Sequence, residues 1–141
     1  MLEAYSSGDC RQATALADQI LDANFTHSDS HVVTRLCHRK AGDLVRSEQS
    51  RAVVNGLIGS ILGSGDGKTP ETAVVVIATE EEYKTLDALG LRVIQRSLVR
   101  QGTSAFDRFE VKSPGAIESI TLYFNVDRPM ATLLKATRQP K

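Results

Sequence analysis

The residues with the sharpest chemical meaning are Gly67, Lys68 and Thr69, which look like the end of a phosphate-binding loop. Such a loop needs another glycine five positions before Gly67, so that backbone amides surround the phosphate and the lysine reaches it. Leu62 stands at that position. The loop also follows a strand and begins a helix, whereas here a helical pattern precedes the glycines and a β-like run follows them. Spacing and context therefore favour a helix end and a turn over a nucleotide site.

A second group of potential ligands is formed by His27, His31 and His38, next to Cys37. Histidines four residues apart share a helix face. A zinc site, however, usually has four ligands in a recognisable spacing such as Cys-x-x-Cys or His-Glu-x-x-His. Neither pattern occurs in this chain. We therefore predict half-exposed helix histidines, no metal ion and no bound cofactor.

Catalytic residue types are present without a supporting pattern. Serine, histidine and aspartate occur, but no Gly-x-Ser-x-Gly turn accompanies them. Glu80, Glu81 and Glu82 follow Thr79, an order typical of a capping box at a helix N-terminus, where acidic groups are favoured. We therefore predict no catalytic residue. The alternative that stays open is a small hydrolase-like enzyme with a site between the helices and the sheet.

The elements that carry these residues begin with a repeated pair. Two Gly-Asp pairs, beginning at Gly8 and Gly42, are 34 residues apart, which is the period of tetratricopeptide helix pairs. Apolar residues at helical spacing follow each pair, and Ser28 supplies an N-cap for a helix between them. Residues 1–63 are therefore predicted to form about three antiparallel, tetratricopeptide-like helices. Residues 1–7 would be the remnant of a truncated first helix.

The helix predicted after Ser28 is the best candidate for a binding surface, because the first helix of each tetratricopeptide-like unit lines a binding groove. Its basic side chains can pair with an acidic side chain or with the terminal carboxylate of a peptide. The alternative is a solvated basic helix end, which the helix dipole favours. The predicted partner-binding residues are Asp29, Val32, Arg35, Leu36, Arg39 and Lys40.

Residues 64–141 change to β-like patterns and are predicted to form an α+β domain that packs as one unit with the helices. Runs rich in valine and isoleucine alternate with glycine and proline turns, and one short helix is expected around Tyr83, Leu86 and Leu89. Short turns between the later strands favour a small, mainly antiparallel sheet of about four strands. The predicted strands are residues 72–78, 91–101, 106–112 and 120–126.

Charge and composition limit the classes of partner. The chain has 17 basic and 17 acidic residues, so neither nucleic acid nor a membrane surface is expected as a main partner. No apolar run is long enough to cross a bilayer, and no secretory signal is recognisable. A cytoplasmic protein is expected from the sequence as written, and an exported one if a signal has been removed. The oligomeric state stays open.

The two cysteines, Cys10 and Cys37, are too few for a disulfide scaffold. One bridge between them requires that their helices be neighbours. We expect two reduced, buried thiols, because that is the commoner outcome for a chain with so few cysteines.

Three segments together resemble a known family. They are residues 65–73 (GDGKTPETA), residues 80–83 (EEEY) and residues 122–127 (LYFNVD), the last followed by Pro129. They are similar to a family of uncharacterised bacterial proteins, a domain of unknown function in which a short tetratricopeptide-like region precedes a β segment. The resemblance implies this fold and implies no activity. Residues 130–134 depart from the family pattern, in which aromatic residues are usual at this place.

Binding explains these patterns better than catalysis does. We therefore predict a non-enzymatic protein–protein interaction module of a bacterial protein, acting as an adaptor, an assembly factor or an immunity-type partner. The expected partner is another protein or a peptide. Besides the hydrolase, the remaining alternative is a domain that only supports a larger protein.

Overall fold

A computed structural model describes residues 1–138, so the last three residues of the predicted domain 64–141 lie outside the described range. The chain divides into two compact units, Met1–Leu57 (unit 1) and Ile58–Lys141 (unit 2). The fold is α+β and helices precede the sheet, as predicted. The helices are α1 (Leu2–Ser6), α2 (Cys10–Ala23), α3 (Ser28–Lys40), α4 (Leu44–Leu62), α5 (Thr79–Ala88) and α6 (Asp127–Arg138), and the strands are β1 (Val74–Val75), β2 (Arg92–Gln101), β3 (Ser104–Lys112) and β4 (Ile120–Asn125).

The core of unit 1 is built from small side chains. Ala4 of α1, Ala13 of α2 and Val33 of α3 are buried against one another, and Ala17 is fully buried on the same helix as Ala13. Small residues let helices approach closely, but each buries little apolar surface. Packing alone therefore contributes less to this unit than it would in a core of large side chains.

A disulfide between Cys10 and Cys37 joins α2 to α3, so the expectation of two reduced thiols is wrong. The two helices are neighbours and run antiparallel, which places the first residue of α2 beside the last turn of α3. The Cα atoms of the two cysteines are 5.3 Å apart, a separation that a disulfide spans readily.

The two Gly-Asp pairs form the same turn in the structure. Gly8 and Gly42 have φ angles of +85° and +79°, the left-handed conformation that ends helices and that glycine adopts without strain. Asp9 and Asp43 then each accept a hydrogen bond from the backbone amide three residues later, at 2.9 and 3.1 Å. The 34-residue spacing therefore marks two equivalent helix–turn–helix connections.

Unit 2 contains a four-stranded sheet in the order β1-β4-β3-β2, in which β1 is parallel to β4 and the other pairs are antiparallel. This agrees with the predicted small, mainly antiparallel sheet. β1 has only two residues and is shorter than the predicted strand 72–78. The reason is local: a 3₁₀ turn at Pro70–Thr72, capped by Thr69, takes up the first predicted strand residue, and α5 begins soon after β1.

One face of this sheet, which we call the inner face, carries the core of unit 2. Phe109 of β3 and Phe124 of β4 are fully buried there with their rings edge to face at 5.5 Å, a favoured aromatic geometry. Leu86 of α5 and Val111 of β3 pack into the same cluster. The predicted alternation in the last strand is thus confirmed at Phe124, and the predicted short helix lies on the inner face.

Helix α6 follows β4 and has no counterpart in the sequence-based prediction. Met130 on this helix packs against the core of unit 2, whereas Leu133 and Leu134 stay more than half exposed. Among the described residues, no helix is long and apolar enough to span a membrane.

Candidate functional site

The segment that resembles a phosphate loop is a closed turn. The Gly67 amide donates to the Thr72 carbonyl at 2.8 Å, and the Lys68 amide donates to Asp66 Oδ1 at 3.0 Å. The Thr72 hydroxyl also donates to Asp66 Oδ1, at 2.6 Å. These hydrogen bonds lower the pKa of the Asp66 carboxyl, the Thr72 bond having the largest effect. Amides that a phosphate loop would turn toward an anion are used inside this turn, which supports the interpretation as a helix end and turn.

Glycine is required in this turn for two separate reasons. A Cβ atom on Gly65 would lie 2.4 Å from the Thr72 carbonyl oxygen, so no side chain fits. Gly67 has a φ of +71°, and its carbonyl accepts the Tyr123 amide of β4 at 2.7 Å. The turn is therefore fastened to the sheet, and residues 65–73 have a structural role.

Asn125 and Asp127 form a second junction, where β4 meets α6. Asp127 Oδ1 accepts the Ala105 amide of β3 at 2.8 Å, and the Asp127 amide donates to Asn125 Oδ1 at 3.1 Å. The Ala105 amide is the main reason why the pKa of Asp127 is lowered. Both side chains thus fix the path of the chain at this corner.

His27 and His31 make hydrogen bonds inside unit 1, and the expectation of half-exposed histidines is wrong for His31, which is buried. His27 caps α3, since its Nδ1 accepts the Ser30 amide at 3.3 Å. His31 is buried, and its Nε2 lies 2.7 Å from the Phe25 carbonyl oxygen, so this nitrogen carries the proton and donates. Within residues 1–138, no group of three His, Cys, Asp or Glu side chains is placed to hold a metal ion.

All six residues predicted to bind a partner lie on α3, and we call them the α3 surface. The first four are partly buried and the last two are exposed. Within the described chain, the Nε of Arg35 is buried without a hydrogen-bond partner. In order, the α3 surface consists of Asp29, Val32, Arg35, Leu36, Arg39 and Lys40.

The prediction of a capping box at the start of α5 is wrong. The N-cap residue is Ala78, whose side chain makes no capping hydrogen bond. Thr79 is already the first residue of the helix. Glu81 is the acid that reaches back, because its Oε2 accepts the Ile77 amide at 2.7 Å. Glu82 instead turns into the core and is fully buried.

Glu82 and Asp107 of β3 form a buried cluster together with Arg96 of β2, whose side chain is 40% exposed. The Nε of Arg96 donates to Asp107 Oδ2 at 3.0 Å, and its Nη2 donates to the same oxygen. Only 3% of Asp107 is exposed. Burial raises the pKa of Glu82 to about 8, with the negative charge of Asp107 and a hydrogen bond to it as the next causes.

The protonation state of Glu82 follows from its surroundings. As a carboxylate, neither of its oxygens would have a hydrogen-bond partner among the described residues, and such a buried charge is costly. As a carboxylic acid it can donate its proton to Asp107, which keeps its negative charge opposite Arg96. Glu82 is therefore neutral at pH 7, and the cluster as a whole carries no net charge.

A cavity of about 420 Å³ lies next to this cluster, between β2 and the start of α6. Arg96 and Asp107 form its polar side, while Leu98, Met130 and Leu133 form much of its apolar side. Glu82 does not line this cavity. The arrangement therefore offers a partly apolar recess beside a neutralised ion pair.

A family model described as a domain of unknown function (DUF4919) matches residues 2–135, almost the whole chain. The chain belongs to this family. The DUF4919 family carries no described activity, so membership confirms the expected resemblance and adds no function. Neither a curated protein nor a solved structure matches the chain.

Sequence reasoning missed the buried cluster of this DUF4919 chain, although one signal was present. Glu82 precedes Leu86 by four residues, which places both on one helix face, and Thr85 shares their burial. The predicted apolar face of Tyr83, Leu86 and Leu89 is rotated from the real one, since Tyr83 and Leu89 are almost half exposed. Because Glu80, Glu81 and Glu82 all stand in the first turn, where acidic residues are common, the sequence did not indicate that Glu82 is a core residue.

A buried carboxylic acid next to a second carboxyl group is also typical of acid–base catalysis. In the DUF4919 chain, however, Glu82 has no exposed surface and Asp107 is held by Arg96. A catalytic acid or base must reach a proton on the substrate. The geometry of this pair therefore favours a role in the core over a role in a reaction.

Proposed function

We propose that this DUF4919 chain is a non-enzymatic protein–protein interaction module with a tetratricopeptide-like helical part. Its partner is an acidic segment of another bacterial protein, which binds at the α3 surface. In this role the chain serves as an adaptor, an assembly factor or an immunity-type partner. The observation that carries the proposal is the combination of partly exposed apolar side chains with the exposed basic side chains of Arg39 and Lys40 along one helix.

The apolar part of the α3 surface supports a helix-groove mode of binding. Val32 and Leu36 are four residues apart on α3, so they are neighbours on the helix surface. Both remain partly exposed in the folded chain. Covering them would remove apolar area from water, which favours association by roughly 25 cal/mol per Å².

The charged part of the same surface supports an acidic partner. Arg35, Arg39 and Lys40 give three positive charges against the single carboxylate of Asp29. Arg39 and Lys40 are exposed in the last turn of α3, where they can reach a partner's carboxylates. Arginine pairs with carboxylates through two parallel hydrogen bonds, which adds specificity.

The repeated turn supports the tetratricopeptide-like description of unit 1. Equivalent turns follow α1 and α3, at Gly8 and Gly42, so α1–α2 and α3–α4 correspond as helix pairs. Arrays of this kind use the first helix of a pair for binding. The same correspondence makes α3 the first helix of its pair.

The test is binding to a defined set of peptides. We suggest twelve-residue peptides rich in aspartate and glutamate with two leucines, and matched peptides in which lysine replaces every acid. Affinity is measured by fluorescence anisotropy, and the site is mapped by NMR shifts of backbone amides. We expect the acidic peptides to bind and to shift amides of α3, and the lysine peptides to bind at least about tenfold more weakly, a difference of about 1.4 kcal/mol.

A charge-reversed pair gives the decisive comparison. Arg39→Glu combined with Lys40→Glu should weaken binding of the acidic peptides by about tenfold or more. The matched control is Arg11→Glu with Arg51→Glu, two exposed cations of unit 1 outside the α3 surface. Equal losses in both pairs would mean that net charge alone attracts the peptides, and the proposal would be wrong. Absence of any α3 shift would favour the supporting-domain alternative.

A further inference from the structure

The outer edge of β2 is an unpaired strand edge. β2 lies at the end of the sheet and has ten residues, and no other strand among residues 1–138 pairs with its outer side. An edge strand presents a row of backbone N–H and C=O groups that fit only another extended backbone. We propose that β2 accepts an extended segment of another protein as a fifth strand.

The side chains of β2 protect this edge only in part, through the exposed arginines Arg92, Arg96 and Arg100. Natural proteins blunt exposed edges with charges, prolines or bulges, and keep apolar residues away from them. β2 has a bulge between Val93 and Gln95, yet Ile94 and Leu98 are 51% and 54% exposed on the same strand. Exposed apolar residues on a long edge strand are typical of a surface that a partner covers.

Two cavities lie along β2 and would receive side chains of an added strand. The first, of about 320 Å³, is lined by Tyr83, Leu86, Leu91 and Val93 among others. The second is the cavity of about 420 Å³ that Leu98 helps to line. Both open on the inner face of the sheet.

The register of β2 sets the spacing of the two side chains. Val93 is paired with Val111 of β3, and Leu98 is paired with Asp107. Val93 and Leu98 are five residues apart on β2, but Val111 and Asp107 are only four apart on β3, because the bulge adds one unpaired residue to β2. An added strand turns every second side chain to the same face, so residues i and i+4 of the partner would enter the two cavities.

Charge selects a different chain over a second copy of this one. Two antiparallel copies of β2 paired about Arg96 would place the two Arg96 side chains opposite each other, and like charges directly opposite are unfavourable. Arg92 already faces Lys112 of β3. A carboxylate opposite Arg92 on the added strand would offset this repulsion. The partner segment is therefore extended, apolar at two positions four residues apart, and acidic near the position facing Arg92.

The experiment uses a nine-residue peptide with leucine at positions 3 and 7, whose side chains would enter the two cavities. Aspartate stands at the positions whose side chains point to the opposite face of the added strand. Two further forms of the peptide are N-methylated on alternate residues, one along each of its two edges. Only the form methylated on the edge that faces β2 loses the hydrogen bonds of strand pairing. We expect the unmodified peptide to bind and to protect β2 amides from hydrogen exchange. One methylated form should bind about tenfold or more weakly, and the other should bind normally.

Variants of the chain test whether the peptide binds beside Leu98 on β2. Leu98→Lys and Leu98→Ser should each weaken binding, whereas Ile117→Lys, at an isoleucine that is 93% exposed outside β2, should not. Circular dichroism confirms that each variant is folded. The proposal is overturned if both methylated peptides bind alike, or if sedimentation shows a dimer that Leu98→Lys disrupts, since the occupant would then be a second copy.

This inference does not depend on the α3 surface, because the two surfaces lie in different units. Arg39→Glu with Lys40→Glu should leave binding of the strand peptide unchanged. Leu98→Lys should likewise leave binding at α3 unchanged. Failure of one proposal is therefore distinguishable from failure of the other.

Discussion

The two units are held together by different means. The large fully buried side chains, Phe109, Phe124 and Leu86, all belong to unit 2. The core of unit 1 is built around small side chains such as Ala4 and Ala13 and is joined by the disulfide between Cys10 and Cys37. The comparison shows that a covalent link can replace apolar area in a small unit, whereas a large core can accommodate a buried ionisable group such as Glu82.

Removing the disulfide should have the largest effect. The cysteines are 27 residues apart in the sequence, and closing a loop of this length stabilises a fold by about 3.5 kcal/mol through the unfolded chain. Cys10→Ser with Cys37→Ser should therefore speed amide hydrogen exchange in α2 and α3 by roughly 400-fold. Exchange in β3 of unit 2 should not change.

The control for this prediction is the oxidised wild-type chain, measured with and without a reducing agent. Reduction of the wild type should reproduce the effect of the double variant, and the reducing agent should leave the variant unchanged. If unit 1 were equally protected in all four samples, its small-residue core would suffice, and the contrast between the units would be lost.

The sequence predicted the parts of the fold that depend on neighbouring residues. β2 and β3 lie within two residues of their predicted bounds, and the turns after α1 and α3 were marked by Gly-Asp pairs. Long-range partners decided the rest. The disulfide requires that α2 and α3 be antiparallel neighbours, and α6 begins where Asp127 binds the Ala105 amide of β3. No local pattern contains either fact.

The candidate surfaces were predictable to different degrees. The basic face of α3 is visible from helical spacing, because it needs only the helix that carries it. The cluster at Glu82 is not visible in this way. The pKa of Glu82 is raised by burial in the folded core and then by Asp107, which lies 25 residues away in the sequence and reaches α5 only through the sheet.

The second-largest effect is expected at Glu82, which lowers the stability of unit 2 at pH 7. Its pKa is about 8 in the folded chain, against an ordinary value of 4.5, so the folded state holds a proton that the unfolded state loses. Its contribution to stability is complete below pH 4.5 and is lost as the pH rises through 8. Glu82→Gln keeps the shape and can still donate to Asp107. We expect it to raise the stability of unit 2 by about 2 kcal/mol at pH 7.

The measurement is denaturant unfolding from pH 5 to pH 9, with hydrogen exchange in β3 as the probe of unit 2. Wild-type stability should fall across this range, and the fall should be smaller in Glu82→Gln. Asp87→Asn is the matched control, because this aspartate is exposed on the same helix and is not among the groups that shift the pKa of Glu82. Parallel pH profiles for the wild type and Glu82→Gln would show that Glu82 is ionised in the folded chain.

The smallest expected effect tests whether the two Gly-Asp turns are equivalent. Asp9 and Asp43 each cap the helix that follows, through one hydrogen bond to a backbone amide. Replacing such a cap with alanine costs about 1 kcal/mol. Asp9→Ala and Asp43→Ala should therefore lower the stability of unit 1 by similar amounts, whereas Asp22→Ala, at an exposed position near the end of α2, should have almost no effect.

Because the disulfide begins at Cys10, directly after Asp9, it can hold the first turn of α2 in place even when the cap is absent. A loss at Asp43 that clearly exceeds the loss at Asp9, and that becomes equal after reduction, would show that the covalent link and the cap act on the same turn. Equal losses in the oxidised protein would instead show that each turn depends on its own hydrogen bonds, as the 34-residue repeat implies.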